Sequence, residues 1–539
     1  MGKFIETSEI MAKAIEEAYM RGESDYYMKP LVLKNANGKL IGLINDGDSV
    51  VFCCKRGERE IQLTDCFVEP EFPYFERKNF SNLFFVPFTL YHSKYVSLNL
   101  PIAFKFETVS NTLGEVISRS GLKQLRIAES EKIAHVTFFF NGGENIVFPL
   151  EDDVKIPSHR GIPYEKIPLL KLSEVSARLI EEINKDKYNF ILANFANGDI
   201  IGHTADFDAK VTCVKGIDKT LEDIVTVAIK QKYTVMITAD HGVLEVGFKD
   251  NGRPNVSHTT NPVPFLLVGP SVQEISLKEG RLANVASTVL VSMGIEPPEI
   301  FEKSLFRART AINQRKVLLI VLDGWGIGKE DSKNPIYVAG VPFYNRLLRE
   351  YPHTILKASG RDVGLKKDQP GNSEAGHINL GAGRVVLQDD VIIEKSIADG
   401  SFFKNHVLLE AVNRLHDSKG CLHLIGLLSH KSSHGLIDYV SNVLMLARSQ
   451  NLENAYLHII LDGRSTEPGS APHLLRQFGV TLREIGIGTI VTVFGRGIAL
   501  DRSGDYLSKT KLAYDAMVFG KGEPVYWRNC EHEEKEVRK

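Results

Sequence analysis

Nine short apolar runs rich in β-branched residues are spaced along this chain, separated by amphipathic helical stretches. They lie at residues 48–53, 135–140, 190–194, 234–238, 264–268, 316–322, 422–428, 457–461 and 489–494. Several are apolar at every position. Such a strand must be covered on both faces, which suits a parallel sheet with a helical layer on each side. Alternation of these runs with helices over 9–21, 172–184 and 206–230 predicts α/β folds. Gly22 closes the first of these helices and Ser173 stands near the start of the second.

Polar residues repeatedly follow the C-terminal end of a predicted strand. The sets are Asn197-Gly198-Asp199, Asp240-His241, Asp323-Gly324-Trp325, Asp462-Gly463-Arg464 and Gly495-Arg496. Open α/β sheets bind ligands at those ends, so these loops are expected to face functional clefts.

A length of 539 residues allows two or three domains, each with its own core. A charged content of 24% and a net charge of −2 argue against a nucleic-acid or membrane-surface role driven by bulk charge. The expected partner is a small molecule, and the expected state a monomer. The six cysteines show no CxxC pair and read as reduced thiols of a cytosolic protein. The first residues, MGKFIETSEIM, lack a signal-peptide core. No apolar run approaches the roughly 20 residues that span a bilayer. The expected location is the cytoplasm. The tail EHEEKEVRK is densely charged and expected to be solvated.

Five residues of the first half have metal-ligand chemistry: Asp199, His203, Asp240, His241 and His258. Asp199 and His203 stand one helical turn apart or on one tight loop, and the Asp240-His241 pair follows the run TVMITA. Any one of these alone reads as well as a helix cap or a structural imidazole. With Asp323 and Ser373 they compose a candidate two-metal phosphoryl-transfer site. Mixed Asp and His ligands suit Mn²⁺, Zn²⁺ or Mg²⁺ rather than soft ions. Two ions about 4 Å apart can clamp both oxygens of an in-line phosphoryl displacement. A serine hydroxyl needs such activation to act as a nucleophile. Ser373 lies in QPGNSEAGH between Gly371 and Gly376. The alternative for Ser373 is an ordinary N-cap serine, with Glu374 in the following turn.

The segments KVLLIVLDGWG, QPGNSEAGHINLGAGRVV, AESEKIAHVTFFFNGG, NFANGDIIGHT, ITADHG and SHTTNPVPFLL resemble those of the cofactor-independent phosphoglycerate mutases, within the alkaline phosphatase superfamily. The resemblance runs from about residue 5 to 522. It implies two α/β domains: an alkaline-phosphatase-like three-layer metal domain and a smaller substrate-binding phosphotransferase domain. It implies interconversion of 3-phosphoglycerate and 2-phosphoglycerate, a step of glycolysis and gluconeogenesis, through a phosphoserine at Ser373. It also implies two divalent ions, Mn²⁺ first, with Mg²⁺, Zn²⁺ or Co²⁺ as alternatives.

By the same resemblance Asp199, His203 and His258 bind one ion, and Asp323, Ser373, Asp240 and His241 the other. Lys132 reaches between the metal site and the substrate phosphate. His434, Arg464, Arg496, Arg502, Arg56 and Arg59 surround the phosphoglycerate. Guanidinium groups suit that substrate, since they bind phosphate and carboxylate bidentately.

The order of segments is inverted relative to that family. The DGWG strand opens the family's chains, whereas here it begins near Lys316, after ITADHG and SHTTNPVPFLL. The expected explanation is a circular permutation, with residues 301–315 joining the usual ends. The metal domain is then expected at 107–387 and the substrate domain at 1–106 with 388–539. One departure bears on chemistry. The family has an aspartate after the arginine of its DGRD motif, thought to be its general acid/base, and here Ser465 stands there in LDGRSTEP. His430 occupies the place of another family aspartate. The alternatives are therefore a metal-dependent phosphomonoesterase or a catalytically weak metal-binding homologue.

Overall fold

A computed structural model describes the chain apart from residues 1–2, 56, 93, 106–108, 160, 271, 308–314 and 528–539. Arg56, Cys530, the charged tail and much of the linker at 301–315 lie outside the described residues. The chain divides into two compact units, Glu107–Val391 and Met1–Phe106 with Ile392–Lys539. Among the described residues no helix is long and apolar enough to cross a membrane.

The unit Glu107–Val391 is built on an eight-stranded sheet. Its order is Glu151–Ile156, Gln124–Glu129, Phe190–Phe195, Val317–Leu322, Thr234–Thr238, Val263–Val268, His353–Lys357, Gly280–Arg281. The first five strands are parallel, and Val263–Val268 is antiparallel to Thr234–Thr238. Every residue of the strands Phe190–Phe195, Val317–Leu322 and Thr234–Thr238 is buried. Fully burying one large apolar side chain contributes about 1.5–3 kcal/mol, more than the whole spread of β-propensity, about 1 kcal/mol. Two-sided cover therefore decides these strands. Leu172–Asn184 and Phe207–Lys230 pack together as one helical layer, and Leu113–Arg119, Asn284–Ser292 and Ser373–Ala382 as another.

The second unit has a seven-stranded sheet of order Glu523–Trp527, Leu31–Asn35, Thr489–Gly495, Ala455–Leu461, Leu422–Leu428, Ser49–Cys53, Phe84–Pro87. Its strands feed two separate cores by simple alternation. Leu31, Leu33, Val51, Leu422 and Leu424 enter the core shared with helices Lys3–Met20 and Ala471–Ile485. Val32, Val50, Phe52, Ile425 and Leu427 enter the core shared with helices Gly57–Val68 and Lys511–Phe519. The two-residue period of a strand thus sends alternate apolar side chains to opposite helical layers.

One expected strand is not a strand. Residues 135–140 form a π-helical turn, His135–Phe139. A short apolar run is ambiguous between a strand and a buried helical segment. Here only Val136 and Phe140, four residues apart, are buried within that run. One-sided burial at that spacing fits a helical turn and cannot fill two faces of a sheet.

Candidate metal centre

Five adjacent strands of the Glu107–Val391 unit deliver polar side chains to one edge of its sheet. Lys132 follows Gln124–Glu129, Asp199 follows Phe190–Phe195, Asp323 follows Val317–Leu322, and Asp240 and His241 follow Thr234–Thr238. His258 precedes Val263–Val268, whose antiparallel direction places its start at the same edge. Ser373 is the first residue of helix Ser373–Ala382. Its N-cap is Asn372, whose side chain accepts from the Ala375 N–H at 2.8 Å. Ser373 is therefore not the cap, and its hydroxyl is left to the site.

Lys132 is buried, and its Nζ donates to Ser373 Oγ at 2.6 Å, Asp199 Oδ2 at 2.7 Å and Asp323 Oδ1 at 2.9 Å. Ser373 Oγ donates to Asp323 Oδ1 at 3.1 Å and lies 3.0 Å from His241 Nε2. His241 Nε2 is also 3.4 Å from Asp323 Oδ1, 3.6 Å from Asp199 Oδ1 and 3.7 Å from Asp240 Oδ2. Burial pulls the Lys132 ammonium down, yet the carboxylates of Asp323, Asp199 and Asp240 hold it above the usual lysine range. Burial likewise pulls His241 down, and Asp240, Asp323 and Asp199 push it up to about 9. Burial raises Asp323 and Asp199, but Lys132 and the surrounding imidazoles bring both below the ordinary carboxylate range.

Donor atoms fall into two tight groups, Asp199 with His241 and His258, and Asp240 with Asp323 and His377. The resemblance instead pairs His203 with Asp199 and His258, and places His241 with the second ion. The geometry explains the difference, because the His241 ring stands within reach of carboxylates of both groups. His203 is close as well: its Nε2 is 3.2 Å from Asp199 Oδ1 and 3.0 Å from His258 Nε2. The Asp199 hydrogen bond raises His203 above the ordinary imidazole value.

These residues fit divalent ions. His203 Nδ1 lies 2.9 Å from the Val256 carbonyl and His258 Nδ1 2.8 Å from the Gly371 carbonyl. Each carbonyl requires an N–H on its Nδ1. The two Nε2 lone pairs then face each other beside Asp199, an arrangement that calls for a cation or a proton. Asp240 Oδ2 is buried, and the ring nitrogen beside it, His377 Nδ1 at 3.2 Å, is turned to the Ser373 carbonyl, a second demand of the same kind. His377 differs. Its Nδ1 donates to the Ser373 carbonyl at 2.9 Å, and its Nε2 accepts from Asn194 Nδ2 at 3.1 Å. Both ring nitrogens are engaged, so it supports the group it borders. Asn194 Nδ2 also donates to Asp323 Oδ2 at 2.7 Å. Neither His377 nor Asn194 was singled out from sequence. The readable signal was His377 at i+4 from Ser373, on the same helical face.

The remaining expected residues lie in the other unit. His434 is buried with Nδ1 3.1 Å from Glu60 Oε1. Arg496 is buried in an ion pair with Asp462. Arg59 Nη1 donates to the Leu500 carbonyl at 3.1 Å. Arg464, Ser465 and Arg502 are exposed, and the Ser465 N–H donates to Asp462 Oδ2 at 3.2 Å. His430 is exposed beside Asp438, 3.4 Å away. Four parallel strands of that sheet, Ser49–Cys53, Leu422–Leu428, Ala455–Leu461 and Thr489–Gly495, end at these loops.

Residues 27–297 match the family model described as Metalloenzyme superfamily. Residues 393–538 match the one described as BPG-independent PGAM N-terminus. A 2,3-bisphosphoglycerate-independent phosphoglycerate mutase of Acetivibrio thermocellus is 41% identical over 289 residues, which is 53% of this chain and 56% of the relative. One of Methanococcoides burtonii is 44% identical over 292 residues, 53% of this chain and 56% of the relative. The chain spans about half the length of the curated relatives it matches. A solved structure described as Leishmania mexicana phosphoglycerate mutase at low cobalt concentration aligns with a TM-score of 0.41 and 27% identity, over 51% of this chain and 53% of that one. The metalloenzyme match spans half of the 539 residues, and the chain belongs to the metalloenzyme superfamily.

Proposed function

We propose that this protein interconverts 3-phosphoglycerate and 2-phosphoglycerate without bisphosphoglycerate, with Ser373 as the transient phosphoryl acceptor. The observation that carries the reading is the environment of Ser373 Oγ, held by Lys132 Nζ at 2.6 Å and by Asp323 Oδ1 at 3.1 Å. Divalent ions bound by Asp199, His203, His258, Asp240, His241, Asp323 and Ser373 would supply the Lewis acidity that keeps the serine oxygen ionised and neutralises phosphoryl charge. Mn²⁺ is the ion proposed first. Lys132 orients the serine oxygen and places a positive charge where the phosphoryl oxygens develop charge. The phosphorus–oxygen bond to the substrate breaks as a bond to Ser373 Oγ forms, and the proton that the serine hydroxyl gives up is balanced by the one that the departing glycerate oxygen takes up. The glycerate, gripped by Arg464, Arg496, Arg502, Arg56, Arg59 and His434, then turns and takes the phosphoryl group on its other hydroxyl. The two relatives' names, their identities above 40%, and the BPG-independent PGAM match support this reading.

The segment order supports a circular permutation within it. The model described as an N-terminus matches residues 393–538, after the metalloenzyme match at 27–297. The metal domain is proposed at 107–387 and the substrate domain at 1–106 with 388–539. The protein is proposed to act in the cytoplasm as a monomer.

One observation favours a second reading, phosphomonoester hydrolysis. Ser465 stands where an acid/base carboxylate is expected, and the nearby Asp462 is occupied by Arg496 and by the Ser465 N–H. Incubation with 3-phosphoglycerate and Mn²⁺ separates the two. The mutase reading predicts 2-phosphoglycerate with little free phosphate. Predominant free phosphate would establish the hydrolase, and neither product would reject both.

A further inference from the structure

Three loops, 240–245, 258–261 and 323–326, carry the donor residues Asp240, His241, His258 and Asp323. Backbone hydrogen bonds join these loops in pairs: the Val243 and Leu244 N–H groups donate to the Gly324 carbonyl, the Thr259 N–H to the Gly242 carbonyl, and the Gly324 N–H to Asp240 Oδ1 at 3.2 Å. Glu245, 1% exposed, lies where all three meet. One of its carboxylate oxygens, Oε1, accepts from the Thr259 hydroxyl and from Asn261 Nδ2 at 2.9 Å, next to His258 in sequence. The other, Oε2, accepts from the Gly326 N–H at 3.2 Å, three residues after Asp323. Its own backbone continues the Asp240-His241 loop. Two glycines make room for it: a Cβ on Gly326 would lie 2.4 Å from the Glu245 carboxyl carbon, and one on Gly242 2.6 Å from Oε1. A buried lysine backs the same loops. Lys210 Nζ donates to the Asn255 carbonyl at 2.6 Å, at the start of the segment leading to His258.

We propose that Glu245 is a positioning residue that clasps the three donor loops together and so sets the affinity and geometry of the metal centre. The inference rests on the metal reading above. A carboxylate is required rather than an amide of the same shape. Every partner of Glu245 is used here as a donor: a hydroxyl, a side-chain amide and a backbone N–H. A glutamine that keeps its carbonyl toward Thr259 and Asn261 turns its own NH₂ toward the Gly326 N–H. That donor–donor contact loosens the Asp323 loop. Groups that orient metal ligands from behind typically change metal affinity about 10–100-fold when altered.

The test uses the full chain, stripped with chelator and titrated with Mn²⁺ and, separately, Co²⁺. Glu245→Gln is expected to weaken Mn²⁺ binding about 10–100-fold and to shift the visible absorption spectrum of the Co²⁺-loaded protein. A merely structural glutamate would lower the melting temperature of the metal-free protein and leave that spectrum unmoved. Should Glu245→Gln fail to fold, Thr259→Val and Asn261→Ala each remove one donor, and each is expected to weaken Mn²⁺ binding several-fold. Parent-like affinity and spectrum in the folded variants would overturn the clasp alone. A parent protein that binds neither ion would overturn the metal reading and the clasp with it.

Discussion

The hydroxyl of Ser373 meets one cation and one carboxylate at hydrogen-bond distance, Lys132 and Asp323, with His241 on a further side. Replacing Ser373 by Ala removes the proposed acceptor and leaves the aspartate and histidine donor groups in place. Turnover should then disappear while Mn²⁺ binding, read by calorimetry, stays within a few-fold of the parent. The His241 imidazole gives a pH prediction for the metal-free protein. Its folded value of about 9 lies above the unfolded imidazole value of about 6.5. The stabilisation it provides is full below about pH 6.5 and fades as pH rises through about 9. Thermal unfolding in chelator should show a falling melting temperature across that window, and His241→Gln should flatten the fall. Equal slopes in parent and variant would refute the assignment. The ligand-type residues read from sequence gather at one end of the sheet: Asp199, Asp240, His241 and Asp323 follow strand ends, His203 caps the helix that carries Asp199, and His258 precedes a strand. His377 carries one spacing signal, i+4 from Ser373 on one helix, whereas Asn194 lies inside a strand and nothing in its spacing separates support from ordinary packing.

At the scale of elements, two-sided apolarity was the strongest guide. The strands Thr234–Thr238 and Leu422–Leu428 and the helix Leu172–Asn184 have the bounds that periodicity predicts. Such strands must fill two helical layers, so their composition admits little else. The run at 135–140 is ambiguous because four apolar residues in six satisfy a strand or a buried turn equally, and only tertiary cover on one face chose the turn. The helix that carries Ser373 depends on its cap. Asn372→Ala should cost about 1 kcal/mol of unfolding free energy, seen as a lower urea midpoint at unchanged slope. Asn372→Asp, which keeps an accepting oxygen, should retain most of the parent stability. A loss equal in both variants would show that the cap is not the reason for Asn372.

For the molecule as a whole, each compact unit has its own sheet, and among the described residues the donor groups belong to the unit Glu107–Val391. Mn²⁺ at 1,000 times its dissociation constant should stabilise the unit that binds it by about 4 kcal/mol. In calorimetry only the transition of that unit should move, and a shared shift of every transition would contradict the placement. The α/β class was legible in strand composition; chain length allowed two or three domains, and the two-domain plan was what the family resemblance implied. The pairing of Leu31–Asn35 with Glu523–Trp527 and of Ser49–Cys53 with Leu422–Leu428 was not readable from periodicity. No local signal links strands so far apart in sequence. Ser465→Asp should raise the ratio of 2-phosphoglycerate to free phosphate formed from 3-phosphoglycerate, if the missing carboxylate limits the return step. The most direct measurement of the central claim is peptide mass spectrometry of the acid-quenched protein after exposure to 3-phosphoglycerate and Mn²⁺. A phosphoryl group on the peptide containing Ser373, absent after chelation, is the predicted result. Sustained turnover with that peptide unmodified, or with the phosphoryl group on another residue, would contradict it.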